Sequence, residues 1–151
     1  MIIMKGQVST ELLIIVGLVL LIFIPLITLV YLKANEANAQ IAAYQAELSV
    51  SRIASLANSV GSLGTDTSVT TDVFIPPNVI EMRTENLGGG AELSLTMEGP
   101  QGPTTPIVQI IRYPIKDAGT IVDASNAGGW TRIRITSEFE NNTALIKIER
   151  V

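Results

Sequence analysis

The stretch that decides the fold is the uncharged run over residues 12–32, which reads LLIIVGLVLLIFIPLITLVYL. Thr28 and Tyr31 are its only polar side chains. Because a helix rises about 1.5 Å per residue, these 21 residues reach about 31 Å, close to the hydrocarbon thickness of a bilayer. The run therefore predicts a helix that spans a membrane.

A secretory signal peptide is the first alternative for a run of this kind. Its apolar core has about 7–15 residues and is followed by a cleavage site made of small residues. The run here is longer, and Tyr31-Leu32-Lys33 offers no such site. The small-residue junction, Gly6-Gln7, lies ahead of the run instead, so cleavage there would leave the apolar helix on the mature chain.

The residues around that junction form a motif, with Lys5, Gly6, Gln7, Ser9 and Glu11 at its defined positions. Glycine, then Gln-x-Ser-x-Glu, then a long apolar helix is the signature of archaeal type IV pilin-like proteins with a class III signal peptide. Over about its first 27 residues the chain resembles this family. Its leader departs from the pattern in having one basic residue, and Met1 and Met4 are both candidate start sites.

The resemblance implies a processing and assembly route. A prepilin peptidase would remove residues 1–6 by cutting between Gly6 and Gln7. An assembly ATPase and a membrane platform protein would then move the helix from the bilayer into a filament of many copies. Before assembly the N-terminus would be cytoplasmic and the C-terminal part outside the cell. The residues implied in subunit assembly are Gln7, Glu11, Leu12, Leu13, Ile14, Ile15, Val16, Gly17, Leu18 and Pro25.

Glu11 stands directly against the apolar run. A carboxylate in the hydrocarbon region is costly and usually marks a pairing site. In the family the equivalent carboxylate meets the N-terminus of a neighbouring subunit; if Gln7 cyclises to a lactam, Glu11 would accept its N–H instead. The alternative is that Glu11 lies solvated among headgroups, where the helix N-terminal dipole favours an acid.

Pro25 interrupts the aliphatic run, and it cannot donate a hydrogen bond to Leu21. A kink is therefore expected. It either sets how helices bundle or is an ordinary proline of a membrane helix.

Residues 33–60 contain no helix breaker and are rich in Ala, Gln, Glu and Leu, which favour helix. We therefore expect one helix over residues 7–63, ended by Gly61, Gly64 and the polar residues behind them. Apolar residues recur three or four apart, which favours helix; they are Ile41, Tyr44 and Leu48, then Ile53, Leu56, Val60 and Leu63. The second group, from Ile53 to Leu63, is expected to lie as a stripe against a globular head.

Residues 64–151 are expected to form an extracellular, β-rich head domain. Residues 91–98 alternate between apolar and polar side chains, which indicates a half-buried strand, and Gly88-Gly89-Gly90 marks the turn before it. Residues 107–113 are almost continuously apolar and predict a central strand, while 130–136 and 144–150 predict a terminal hairpin. Helix followed by strands predicts an α+β fold with an antiparallel sheet or sandwich.

The sequence offers little material for catalysis. It has no histidine and no cysteine, so the usual nucleophile–base pairs and zinc sites are absent. The scattered carboxylates match no calcium-loop spacing, and no basic patch predicts nucleic-acid binding. We expect no enzyme, metal or cofactor. Asn141-Asn142-Thr143 is a candidate glycosylation sequon at Asn141, and Trp130 is expected in the core.

The sequence therefore predicts a structural subunit of a type IV pilus-like surface filament. Two alternatives stay open. One is a minor, tip or archaellum-associated pilin-like component whose head is a binding module, which a patch of exposed apolar residues on the head would favour. The other is a plain membrane anchor with one span and an external β domain. The sequence does not distinguish roles in adhesion, motility or DNA uptake.

Overall fold

The computed structural model describes residues 4–64, 66–99, 102–140 and 143–151, with side chains from residue 9 onward. A single long helix, α1 (Met4–Leu63), is followed by antiparallel sheets, so the predicted α+β fold is confirmed. The strands are β1 (Ser68–Ile75), β2 (Val79–Leu87), β3 (Gly90–Gly99), β4 (Gly102–Pro103), β5 (Ile107–Ile111), β6 (Thr120–Asp123), β7 (Gly129–Glu140) and β8 (Thr143–Arg150).

The chain divides into two compact units, residues 1–39 and residues 40–151. The first unit contains the apolar part of α1, including Pro25. The second unit, called the head below, contains the rest of α1 and the strands β1 to β8.

The head strands form two antiparallel sheets. One has the order β1-β7-β8; in the other, β4, β3, β2 and β6 follow one another and β5 also pairs with β3. The predicted terminal hairpin is confirmed, since β7 and β8 pair from Glu140↔Thr143 to Ile133↔Arg150. The predicted turn after β2 is also confirmed: Gly88 has a φ of 60°, a left-handed conformation that suits glycine, and Leu87 pairs with Gly90.

The prediction of a central strand over residues 107–113 is wrong. Within the described part of the head, β5 ends at Ile111 and pairs along one side, with β3. Its side chains alternate between the core and the surface, because β5 lies at a sheet edge with one face toward solvent. Val108 and Ile110 are exposed, so the continuous apolar run does not reflect burial on both faces.

The inner faces of both sheets contribute to one apolar core with residues 42–60 of α1. The helix also makes side-chain hydrogen bonds to backbone groups at the edges of two strands. Ser49 donates from Oγ to the carbonyl oxygen of Phe74 in β1 at 2.6 Å. Asn58 accepts the N–H of Arg112 on Oδ1 at 2.8 Å and donates from Nδ2 to the carbonyl oxygen of Ile110 at 3.4 Å. Because open edges invite pairing with other chains, α1 protects the sheets as well as completing their core.

The face of α1 buried in the head is lined mainly by small or β-branched side chains. Its buried residues are Ala46, Ser49, Val50, Ile53, Ala54, Ala57, Val60 and Gly61. Small side chains let the helix approach the strands closely, which explains why alanines occupy this face. The predicted stripe is confirmed at Ile53 and Val60, with Leu56 partly buried.

The same prediction is wrong at Leu63, which is exposed. The earlier apolar residues of the helix, Ile41, Tyr44 and Leu48, are exposed as well. At 100° per residue, these three lie on the side of the helix opposite the buried alanines. The apolar periodicity of this segment therefore combines two different surfaces.

Candidate assembly surface

The apolar run of α1 is exposed along its whole length. Its large apolar side chains, from Leu12 to Leu32, are each between 44% and 70% exposed. Eighteen consecutive residues of this helix have a mean hydropathy of 3.2, and none of that stretch is buried. Within the described residues, this helix is long enough and apolar enough to cross a membrane.

Thr28 makes its hydrogen bond within the helix, and Gly17 has open space beside it. Thr28 donates from Oγ1 to the carbonyl oxygen of Ile24 at 2.9 Å, so its hydroxyl needs no partner from outside the helix. A Cβ at Gly17 would meet nothing within 4 Å. The helix continues through Pro25, and the predicted kink stays a prediction.

The motif residues lie at the start of the same helix. The backbone of Lys5, Gly6 and Gln7 belongs to α1, but their side chains lie outside the described residues. Ser9 and Glu11 are exposed, and the assembly positions from Leu12 to Leu18 follow them on the open apolar run. Processing and pairing at these positions stay predictions. Asn141, the glycosylation candidate, lies outside the described residues.

Trp130 is not in the core, so its predicted burial is wrong. It is 74% exposed and contacts the ring of Phe74 edge-on, with the ring centroids 5.8 Å apart at 73°. The two residues are cross-strand partners on β1 and β7. The sequence contained the signal: Trp130, Arg132 and Arg134 share one parity of the strand, while Thr131, Ile133 and Ile135 occupy the other.

Exposed ion pairs lie on the outer surfaces of the head. Arg132 donates to Asp72 from Nε at 2.9 Å, and this hydrogen bond lowers the pKa of the Asp72 carboxyl. Lys116 donates from Nζ to Glu138 at 2.6 Å, which lowers the pKa of Glu138 and raises that of Lys116. These pairs connect neighbouring strands and loops at the surface, where solvent screens their interaction.

The concave surfaces of the head are shallow. A groove of about 450 Å³ lies between α1 and β5, lined largely by serines together with Asn58 and Tyr113. Among the residues that the structure describes, no three acidic side chains converge as metal ligands would.

Comparisons with known proteins add no relative: no family model, curated protein or solved structure matches this chain. The interpretation of the surface therefore rests on the chain's own residues.

Proposed function

We propose that this protein is a structural subunit of a type IV pilus-like filament on the cell surface. It is made as a precursor, cut between Gly6 and Gln7, and polymerised through residues 7–32. A prepilin peptidase, an assembly ATPase and a membrane platform protein are its partners in this route.

One observation carries the proposal. The head has its own core, in which Ile53, Ile133 and Ile135 are fully buried, whereas the 21 residues of the apolar run have no partner in the described structure that covers them. Burial of each large aliphatic side chain is worth roughly 1.5–3 kcal/mol, so this run needs lipid or other apolar helices around it. A bilayer covers it before assembly, and a bundle of identical helices covers it afterwards.

The motif is the reason for proposing a polymer subunit instead of a plain membrane anchor. A cut at Gly6-Gln7 removes the leader and keeps the apolar helix, which a secretory signal peptidase would not do. It also places a new N-terminus four residues before Glu11, where a neighbouring subunit can use it.

Replacing Gly6 tests the proposal. Gly6→Trp places a bulky side chain at the junction, so we expect the full-length precursor to accumulate in the membrane and surface filaments to be lost. Gly6→Ala is the matched control, since it keeps a small residue and should be processed. Mass measurement of the intact protein from cell membranes distinguishes the two forms.

If the unaltered protein and both variants all retain the leader, the proposal is wrong and the chain is a membrane anchor with an external head. If the unaltered protein is cut but is at most a small fraction of the sheared filaments, the result supports the accessory role instead of the main-subunit role.

The accessory role has one observation in its favour. Trp130, Leu48 and Phe74 form an apolar patch on the head, which is unusual on a surface that only meets solvent. An accessory subunit would be processed and would present this patch to a partner other than its own kind. Its abundance in sheared filaments would then be a small fraction of that of the main subunit.

A further inference from the structure

One side of the head carries an exposed aromatic patch with a basic rim. The patch, called the aromatic face, consists of Leu48, Phe74 and Trp130, with Arg52 and Arg132 beside it. Leu48 is 71% exposed and Trp130 is 74% exposed. A shallow pocket of about 170 Å³ lies between the helix residues and the two rings.

The basic rim is only partly neutralised by the residues that the structure describes. Asp72 is paired with Arg132, and the charge of Arg52 also contributes to lowering the pKa of Asp72. Two cations therefore share one carboxylate beside the rings. A Trp next to an under-neutralised Arg is the composition that dominates the energetic centre of protein interfaces.

The outer surface of the other sheet carries the opposite charge. This acidic face consists of Glu81, Glu85, Glu92 and Asp123. Glu85 stands directly opposite Glu92, and Glu81 directly opposite Asp123. Like charges in such cross-strand positions destabilise a sheet, so two of these pairs on one surface oppose folding.

The head offsets this repulsion only in part. Hydrogen bonds from Ser125 to the Asp123 carboxylate, together with the charge of Arg150, lower the pKa of Asp123. Arg83 lies among these carboxylates and pairs with Glu85 at 3.2 Å. Within the described part of the chain, no cation lies at ion-pair distance from Glu81 or Glu92.

Exposed aliphatic side chains adjoin the acidic face. Val108 and Ile110 of β5 project on the same side of the sheet, because they pair with Ser94 and Glu92 of β3. They are 41% and 57% exposed. A shallow groove of about 350 Å³ runs over this surface, between the acidic residues and Val108.

We propose that the aromatic face of one copy binds the acidic face of the next copy in the filament. Trp130 and Leu48 then pack against Val108 and Ile110, while Arg52 approaches Glu92. This inference rests on the proposed filament function and specifies contacts between its heads.

A second copy of the chain can cover the aromatic face and the acidic face with one kind of contact. The inner sides of the two sheets pack into the same core, so their outer faces point to different sides of the head. A contact between two different faces of one chain is heterologous and repeats from copy to copy, which makes a polymer rather than a closed pair. The complementary charges favour this order of faces and oppose like-to-like pairing.

Cross-linking of cysteine variants in the full chain tests the contact. The protein has no cysteine, so Arg52→Cys and Glu92→Cys introduce the only thiols. The double variant is produced in the native cells and treated with a short bis-maleimide. A head-to-tail contact predicts a ladder of dimers, trimers and longer products, whereas each single variant should stay monomeric.

A matched control keeps Arg52→Cys and moves the second thiol to Glu140→Cys, an exposed acidic position at the distant end of β7. It should give no ladder. Cross-linking of the Arg52→Cys variant alone would show that like faces meet and would overturn the inference.

The state of the filament distinguishes this inference from the proposed function. Sheared filaments with a ladder support both. Sheared filaments without one overturn the head contact and leave the filament function standing. A ladder confined to membranes, with no filaments, supports the head contact and contradicts the filament function. If neither a ladder nor filaments are found, both the head contact and the filament function are contradicted.

Charge reversal gives a second measurement without any cross-linker. Arg52→Glu places acid against acid, and we expect a roughly tenfold loss of sheared filaments. Adding Glu92→Arg restores the opposite charges and should recover most of the yield. If the double reversal is no better than the single one, Arg52 and Glu92 do not meet.

Discussion

The two parts of helix α1 have opposite relations between composition and burial. Residues 12–32 are almost wholly apolar and wholly exposed, whereas residues 46–60 include serine, asparagine and arginine and bury one face completely. The second part needs only a narrow face of Ala, Val and Ile because the strands already surround it. The first part has the larger apolar surface, and none of it is buried. The difference teaches that apolar composition alone does not predict burial within the chain, and it is the reason for proposing lipid or other helices around residues 12–32.

Charges in the apolar part should have the largest effect. The proposed variant replaces Ile15, Val19 and Ile22 together by lysine. Placing each lysine at mid-bilayer costs about 2.5–3.5 kcal/mol, so we expect the variant to leave the membrane fraction. The head should still unfold at the same denaturant concentration, because its core excludes these residues. Replacement of the same three by leucine is the control. Retention of the lysine variant in alkali-washed membranes would contradict a bilayer environment.

Truncation of the buried face should affect the head instead. Ile53→Ala removes a fully buried side chain and should lower the free energy of unfolding by about 2–5 kcal/mol. Leu48→Ala, one and a half turns away and 71% exposed, should change it by less than about 0.5 kcal/mol. Urea unfolding of the full chain in detergent measures both. Similar losses for the two variants would mean that the exposed stripe also packs within the subunit.

The two parts should also respond differently to alanine in place of glycine. A Cβ at Gly61 would collide with the ring of Tyr113, so Gly61→Ala should destabilise the head by about 1–2 kcal/mol despite alanine's better helix propensity. Gly17→Ala meets nothing within 4 Å and should leave the unfolding of the head unchanged. Thermal melting followed by circular dichroism tests the pair. An unaffected Gly61→Ala variant would show that Tyr113 moves aside freely.

The smallest effect should come from pH and should be confined to the head. The pKa of Glu138 is lowered in the folded state by its hydrogen bond from Lys116, so its contribution to stability is present above about pH 5. It is lost as pH falls through the lowered folded pKa. Glu138→Gln should therefore flatten the dependence of stability on pH below about pH 5.

The control for this measurement is Glu98→Gln, since Glu98 is exposed and has no ion pair in the described part of the head. It should leave the acid profile of urea unfolding unchanged. An equal flattening in both variants would show that the Lys116–Glu138 pair has no special part in acid stability.

Much of the fold could be predicted because its signals are local. The apolar run, the alternation of residues 91–98 and the glycines before them each depend on near neighbours. The errors arose where burial depends on distant partners. Residues 107–113 read as a central strand until the edge position of β5 is known, and Leu63 follows the helical period of Ile53 and Val60 but is exposed.

Among the candidate surfaces, the exposed apolar run was predictable and the aromatic face was not. The composition of residues 12–32 is enough to predict a long apolar helix. Trp130 was assigned to the core by residue type, although its parity with Arg132 on the strand indicated the surface. The partnership of Trp130, Phe74 and Leu48 depends on strand register and helix docking, which no single stretch encodes.

The most direct test of the central claim is the identity of the N-terminus in filaments sheared from the native cell surface. Mass spectrometry of the N-terminal peptides should find an abundant peptide that begins at Gln7, as the free amine or as the cyclised lactam. Peptides that retain Lys5-Gly6, with none of the protein in the sheared fraction, would contradict the account and leave a plain membrane anchor.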